Sequence, residues 1–209
     1  MSKIAKFFKL LNDPTPHKLG PEPEEVFGDN VAKNAKWFLP LLTVDLHEIN
    51  PEWNGKAHFV YHEANREEGV TFQLENDHYI YKGEYDFDED GMAGREVKKG
   101  FIKLVPIDVP ELTEENQFDW LTGVNQTIYE INEKETGDIF EGIIAGNNYF
   151  GLKPWWVQWD ATPKNPDGEP MQFIGQITAM EFSDEVGDKD IYLFYCPKYK
   201  MVTQIDQCT

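Results

Sequence analysis

The chain has 209 residues, of which 40% are hydrophobic and 14% aromatic, and its formal net charge is −19. The aromatic content excludes a disordered chain, and the acidity disfavours nucleic acid and anionic membranes as partners. A surface of this charge suits a basic protein partner instead.

The two cysteines, Cys196 and Cys208, are too few for a disulfide scaffold, and their spacing matches no common zinc motif. We interpret them as ordinary thiols in a reducing compartment. The N-terminal segment lacks the features of a signal peptide, and no apolar run approaches the ~18 residues of a membrane span. We expect a soluble cytoplasmic protein that is a monomer or a dimer.

The first residues carry a helical pattern. Ile4, Phe7, Phe8 and Leu11 follow the i, i+3, i+4, i+7 spacing, which predicts a short amphipathic helix that docks on the core. A weak membrane-surface anchor is the alternative. Residues 14–23 contain four prolines and predict an extended linker.

From Trp37 onward the pattern changes to that of strands. Apolar runs and alternating patterns predict strands at 38–46, 57–62, 70–74, 78–82, 101–105, 139–144, 171–179 and 191–195. The turn residues 75–77 predict a hairpin of the strands at 70–74 and 78–82. Pro106 is expected to end the strand at 101–105. Helical spacing predicts helices at 111–122 and 124–135. This irregular order favours an α+β fold of mostly antiparallel β-sheets with a few helices.

Residues 35–62 and 153–196 share one order of features: a tryptophan, an apolar strand with a polar residue, an acidic loop and an aromatic strand. The alignment sets Asp45 against Gln176 and His62 against Cys196. We therefore predict an internal duplication of a β-rich unit within one compact domain, residues 1–209. The pseudo-repeats are 30–107 and 139–209, joined by an acidic helical segment at 108–138.

The negative charge is concentrated in two segments. Residues 63–90 contain ten acidic and two basic side chains, and residues 108–141 contain ten and one. Such segments are either solvated faces or a surface that captures a basic partner. For the second interpretation, the candidate partner-binding residues are Asp86, Asp88, Asp90, Glu114, Glu115 and Asp119.

The D-x-D-x-D-G pattern at residues 86–91 also resembles the first half of a calcium loop, in which alternating carboxylates converge on one cation. The twelfth position, where such a loop needs Glu, is Val97. We interpret the segment as a solvated acidic turn and expect no cofactor, with calcium at this loop as the alternative.

Three tryptophans lie close together, at positions 155, 156 and 159. In a strand, Trp155 and Trp159 would share the core face, whereas Trp156 and Gln158 would share the other face. We therefore add Trp156 and Gln158 to the candidate partner-binding residues. The sequence contains no catalytic motif that we recognise, so no catalytic residue is predicted.

The C-terminal part of the chain, from position 150 to position 208, resembles the YwqG-like family of bacterial proteins. The resemblance rests on Gly151 and Pro154 followed by Trp155 and Gln158, on the Met-x-Phe-Ile-x-Gln-Ile strand at 171–177, and on the aromatic strand at 191–195. The glycine pair of the family is broken here by Leu152. The related programmed-cell-death-2 C-terminal domains have cysteine pairs that this chain lacks, so no metal role transfers. The resemblance implies a duplicated, β-rich α+β fold and a binding function, including that of immunity proteins that neutralise toxins.

Charge and resemblance together lead to one hypothesis and two alternatives. The hypothesis is a non-enzymatic immunity protein of a toxin–antitoxin pair that blocks a basic toxin, such as a nuclease. The first alternative is a carbohydrate- or small-molecule-binding protein, or an enzyme, that uses a tryptophan-lined groove. The second is a chaperone-like binder of basic ribosomal proteins.

Overall fold

The computed structural model describes residues 4–10, 17–63, 69–84, 91–92, 94–108, 149–150, 154 and 156–208. These residues form an α+β fold of antiparallel strands with a few short helices. The strands are β1 (Ile4–Leu10), β2 (His17–Leu19), β3 (Leu39–Asp45), β4 (Lys56–Tyr61), β5 (Val70–Glu75), β6 (His78–Tyr81), β7 (Gly100–Asp108), β8 (Tyr149–Phe150), β9 (Gln172–Thr178), β10 (Lys189–Cys196) and β11 (Met201–Cys208). The helices are α1 (Pro23–Phe27), α2 (Val31–Asn34) and α3 (Leu46–Ile49), with 3₁₀ turns at Gly28–Asn30 and Ala179–Glu181.

The strands are hydrogen-bonded in the order β4-β3-β2-β7-β1-β8-β9-β10-β11-β5-β6. The two ends of this order lie against each other. Phe38, which precedes β3, packs edge to face on Phe72 of β5 and Tyr81 of β6, with ring centroids 5.1 and 5.2 Å apart. The sheet therefore folds back on itself, and the main core contains side chains from both of its ends and from β9 and β10.

Strand β10 is buried on both of its faces. Ile191, Leu193 and Tyr195 belong to the main core, whereas Tyr192 and Phe194 belong to a second apolar cluster on the opposite face. This double burial explains why the sequence of β10 is a continuous apolar run rather than an alternating one.

Two three-stranded units, β2-β3-β4 and β8-β9-β10, have matching registers. Thr43 of β3 lies opposite His58 of β4, and Gln176 of β9 lies opposite Tyr192 of β10. Thr43 and Gln176, in the middle strands, are separated by nearly the same number of residues as His58 and Tyr192, in the third strands. The first-strand partner of Thr43 is Lys18, and that of Gln176 is Tyr149, so the first strands also correspond.

Two local features repeat at the same spacing. Leu41 and Ile174 are the extra residues of a β-bulge in the middle strand of each unit. Asp45 and Thr178 each precede the short helical turn that follows that strand. The structure thus aligns Asp45 with Thr178, and the expected alignment of Asp45 with Gln176 was wrong by two positions. These parallels are what a duplication predicts, and the duplication itself stays a prediction.

The sequence-based prediction was wrong at the N-terminus. Residues 4–10 form strand β1, not a helix, because their backbone pairs with β7 from Ile4 opposite Asp108 to Leu10 opposite Ile102. A single isolated helix of this length is unstable in water, so long-range pairing decides its conformation. Residues 17–19 of the expected linker form β2, and helix α1 begins at Pro23.

The other strand predictions were largely confirmed. Strands β3, β4, β9 and β10 lie where the apolar runs predicted them, and β5 and β6 form the expected hairpin. Asn76 and Asp77 in its turn both have positive φ, as a two-residue hairpin turn of the mirror-image type requires. Strand β7 continues through Pro106 to Asp108, so the expected end at Pro106 was wrong.

Strands β2, β8 and β11 were not predicted. The helices expected at 111–135, the strand expected at 139–144 and all of segment 108–138 beyond Asp108 lie outside the described residues. Within the described residues, no helix is long and apolar enough to cross a membrane.

Candidate functional site

The loop between β9 and β10, residues 179–188, is acidic and carries an exposed apolar side chain. Met180 is 48% exposed, and it follows Thr178 and Ala179 at the end of β9. Asp184, Glu185 and Asp188 are exposed as well. A loop that combines exposed carboxylates with an exposed apolar side chain has the composition of a protein-binding surface.

Hydrogen bonds fix this loop to the segment that precedes β7. The buried Ser183 hydroxyl donates to the Glu96 carbonyl at 2.5 Å and accepts from the Glu185 N–H at 3.2 Å. The Glu185 carboxylate in turn accepts from the Glu96 N–H at 2.6 Å. These bonds bring Glu96 to the same surface as the loop.

Arg95 and Tyr61 bring the end of β4 to this surface. Arg95 Nη1 donates to Glu63 Oε1 at 2.8 Å and to the Glu185 carbonyl at 2.9 Å. Tyr61 Oη donates to Glu63 Oε2 at 3.2 Å and accepts from the Gly187 N–H at 3.0 Å. Burial raises the pKa of Tyr61, so its hydroxyl keeps the proton that it donates.

We call this surface the acidic face and define it by Glu63, Glu96, Asp184, Glu185 and Asp188. Two cations, Arg95 and Lys98, lie among these carboxylates: Arg95 pairs with Glu63, and Lys98 Nζ is 3.8 Å from Asp184. With five carboxylates against two cations, the acidic face is negative, and hydrogen bonds fix the carboxylates of Glu63 and Glu185 within it.

Glu181 lies beside the acidic face in the same loop. Burial raises the pKa of Glu181 to about 7, and the nearby Lys98 ammonium only partly opposes this effect. Lys98 Nζ donates to the Glu181 carbonyl at 3.0 Å. The charge of this loop therefore changes near neutral pH.

A buried ionic cluster lies where the acidic loop enters β10. Lys189 Nζ donates to the His62 carbonyl at 2.8 Å and lies 4.0 Å from Asp206 Oδ2. His62 Nε2 lies 3.1 Å from the same Asp206 oxygen, and Gln204 Nε2 donates to Asp206 Oδ1 at 2.9 Å. Because buried charges are costly unless they are paired, this cluster anchors the loop end and the end of β4 to one another.

His58, on β4 before His62, has different partners. Its Nε2 lies 2.7 Å from the Asp77 carbonyl, which can only accept, so Nε2 carries the proton and Nδ1 accepts from the Thr43 hydroxyl at 2.8 Å. Burial lowers the pKa of His58 to about 4. Among the described residues, no group of three or more His, Cys, Asp or Glu side chains is placed to hold a metal ion.

The tryptophan segment differs from its prediction. Residues 157–159 form a bend, not a strand, and Trp159 is 56% exposed, so the expected core position of Trp159 was wrong. Trp156 is half-buried, with its ring centroid 4.5 Å from Tyr192 and 5.8 Å from Phe194, on which it stacks. The ring of Trp156 thus packs on the second apolar cluster, and its role as a partner-binding anchor stays a prediction.

Gln158 is bonded to the end of β11. Its Nε2 donates to the Cys208 carbonyl at 3.0 Å, and its N–H donates to Gln207 Oε1 at 3.0 Å. Gln158 thus lies beside the C-terminal end of β11, and its partner-binding role stays a prediction.

The remaining candidates lie outside the described residues, as does the expected core residue Trp155; they are Asp86, Asp88, Asp90, Glu114, Glu115 and Asp119. Of the possible calcium loop, Gly91 is described and has a positive φ, which suits the turn expected there. The acidic loop that contains Gly187 was noted in the sequence only as part of the repeat. Its run of carboxylates beside Gly187 was the signal that could have identified the acidic face.

A comparison of the chain with protein-family models, curated proteins and solved structures finds no match. The resemblance to the YwqG-like family therefore stays a prediction.

Proposed function

We propose that the chain is a non-enzymatic binding protein that captures a basic protein partner through the acidic face. The observation that carries the proposal is the hydrogen-bonded link in which Arg95 joins the Glu63 carboxylate to the Glu185 carbonyl and the Glu96 N–H holds the Glu185 carboxylate, in the loop that also contains the exposed Met180. Preorganised charges accelerate association with a partner of opposite charge, and an apolar side chain within the interface adds affinity.

The total charge of −19 supports the same proposal, because a field of this sign steers cationic proteins over long distances. The most specific form of the proposal is an immunity protein of a bacterial toxin–antitoxin pair, as the resemblance implies. It would act in the cytoplasm as a monomer or a dimer and cover the phosphate-binding surface of a basic toxin.

The test begins with a tagged pull-down from the native host, washed at low and at high salt. One basic protein retained near one-to-one stoichiometry supports the immunity proposal, and co-expression then measures protection against its toxicity. Many ribosomal proteins, all lost at high salt, would support the chaperone-like alternative instead.

A pair of double variants tests whether the acidic face is the binding surface. Asp184→Lys with Asp188→Lys reverses two carboxylates of the acidic face. Glu48→Lys with Glu52→Lys makes the same charge change in the corresponding loop of the first unit, between β3 and β4. We expect the first pair to slow association with the captured partner at least tenfold and the control pair far less. Equal effects of both pairs, or an association rate independent of salt, would contradict the proposal.

A further inference from the structure

Trp159 is held in place by its backbone while its ring remains exposed. Gln207 Nε2 donates to the Trp159 carbonyl at 2.8 Å, and Gln207 Oε1 accepts from the Gln158 N–H. The Gln207 side chain is buried, and the Trp159 residue is 56% exposed. The backbone of Trp159 is thus fixed, and its exposed indole offers an aromatic surface to a ligand.

Asp160, the next residue, offers a charged oxygen beside this ring. Its Oδ1 accepts from both the N–H and the hydroxyl of Thr162, at 2.9 and 2.7 Å. These two bonds lower the pKa of Asp160, so its carboxylate is charged at neutral pH. Its Oδ2 has no hydrogen-bond partner among the described residues.

Trp159 and Asp160 line one open groove on the outer side of β11, with a volume of about 730 Å³. Its lining combines apolar and polar side chains, among them Trp159, Asp160, Lys164 and Ile205. The groove has the size and mixed lining of a site that accepts a short chain segment rather than a single ion.

Trp159 is linked through Gln207 to the end of β10 that follows the acidic loop. Gln207, which holds Trp159, pairs in register with Asp190 of β10, and Asp188 of the acidic face lies just before that strand.

An aromatic ring next to a charged carboxylate matches the chemistry of a guanidinium group. Arginine stacks on an indole face by cation–π attraction and forms charge-assisted hydrogen bonds with a carboxylate. The net charge of −19 attracts cations to the protein as a whole, whereas a neutral saccharide gains nothing from that field. Lys164, also in the groove, can donate to a backbone carbonyl of the same segment.

We infer that the Trp159–Asp160 groove binds an arginine side chain within an extended segment of the basic partner. This inference rests on the proposed function and names the side chain that this part of the surface recognises. The guanidinium plane would stack on the indole of Trp159, and Asp160 Oδ2 would accept hydrogen bonds from the guanidinium N–H groups.

The probe is a blocked short peptide, Gly-Ser-Arg-Ser-Gly, and its twin with neutral citrulline in place of arginine. The whole chain is titrated with each peptide, and the indole N–H resonances are followed by NMR, with that of Trp159 assigned from the Trp159→Phe variant. We expect the arginine peptide to move the Trp159 resonance in a saturable way and the citrulline peptide not to.

Three variants separate the two contacts. Trp159→Ala should lower the affinity for the arginine peptide about three- to fivefold, the range of an exposed cation–π contact. Trp159→Phe should restore part of that loss. Asp160→Asn keeps an oxygen for Thr162 but removes the charge, so it should also weaken binding. As a control, Glu52→Gln removes one charge from the first unit and should leave the affinity unchanged.

A Trp159 resonance that does not respond to the arginine peptide would overturn the inference. So would an equal response to the citrulline peptide, or a response only to neutral disaccharides such as maltose or chitobiose. None of these results depends on the lysine variants at positions 184 and 188, so the inference and the proposed function can fail independently.

Discussion

The third strands of the two units, β4 and β10, have corresponding registers but different outer edges. Along β10, the outer edge pairs with β11 through eight residue pairs, from Lys189 opposite Cys208 to Cys196 opposite Met201. Strand β4 ends the hydrogen-bonded order, and no described strand pairs with its outer edge.

Side chains close the outer edge of β4 instead. The His58 N–H donates to Tyr79 Oη at 2.7 Å. The amide of Gln204, from β11, accepts from the Val60 N–H at 3.1 Å and donates to the Val60 carbonyl at 2.7 Å. Gln204 thus replaces the two backbone groups of a neighbouring strand. A single substitution at Gln204 should therefore open the β4 edge, whereas the corresponding edge of β10 is closed by the whole of strand β11.

The largest effect is expected for Gln204→Leu. This change leaves the buried N–H and carbonyl of Val60 without their partners, and each unsatisfied group costs about 1–3 kcal/mol. We expect the free energy of unfolding, measured with urea, to fall by about 3 kcal/mol. Gln172→Leu, at an exposed position of β9, is the control and should change it little. A loss for Gln204→Leu as small as that of the control would show that the amide does not close the edge.

The second prediction concerns His58, which corresponds to Tyr192 in the other unit. The folded-state pKa of about 4 is lower than the ordinary 6.5, so the unfolded chain binds a proton more readily. The free energy of unfolding should therefore be highest above pH 6.5 and fall by about 2–3 kcal/mol as the pH decreases towards 4.

His58→Gln can still donate to the Asp77 carbonyl but cannot take up a proton, so it should reduce this loss. The measurement is urea unfolding of both proteins at pH 7 and pH 4.5. His47→Gln, at an exposed position, should retain the full pH dependence of the original chain. If the two variants have the same pH dependence, then His58 is not its source.

A smaller effect is expected for Tyr79→Phe. This variant removes only the hydroxyl that accepts from the His58 N–H, and it retains the ring that stacks on Phe72 at 4.5 Å. We expect a loss of about 1–2 kcal/mol in thermal or urea unfolding. Tyr199→Phe loses a hydroxyl that bonds Asp167 at an exposed site and should cost less. An equal cost for both would mean that the His58 N–H does not need this partner.

The smallest effect is expected in the acidic loop of the second unit. The pKa of Glu181 is raised to about 7, so the folded state holds its proton more strongly than the unfolded chain does. Its contribution to stability is therefore present below pH 4.5 and lost as the pH rises through 7. In urea unfolding, Glu181→Gln should add about 1 kcal/mol at pH 8 after solvent screening, and nothing at pH 4. Glu52→Gln, in the corresponding loop of the first unit, should not produce this pH-dependent gain.

Much of the fold could be predicted because most strands bury one or both faces. Phe59 and Tyr61 of β4, or Leu193 and Phe194 of β10, are apolar for reasons that any local pattern detects. Strand β11 escaped prediction because Thr203 and Gln204 interrupt its apolar pattern. The buried Gln204 side chain forms hydrogen bonds with Val60, which is distant in the chain. No local pattern contains that information.

The candidate site was predicted less well, for a related reason. The sequence indicated acidity, but the hydrogen bonds of Arg95 to Glu63 and Glu185 join three distant segments. Trp159 was assigned to the core on the assumption of a strand, whereas the bend at 157–159 turns it outwards. Such turns depend on distant partners, here Gln207.

The strand order has a consequence for how the chain acquires its structure during synthesis. Lys6 of β1 pairs with Pro106 and Phe150, and Phe72 of β5 pairs with Val202, so each early strand has partners from much later in the chain. On a ribosome, β1 therefore emerges long before β7 and β8, and β5 emerges with β6 but long before β11, so these strands must wait with unsatisfied backbone groups. Closing such long loops makes folding slow and leaves strand edges open to misassembly. We expect a nascent chain halted before β11 to be bound by chaperones, and release of β11 to complete the sheet in a single late step.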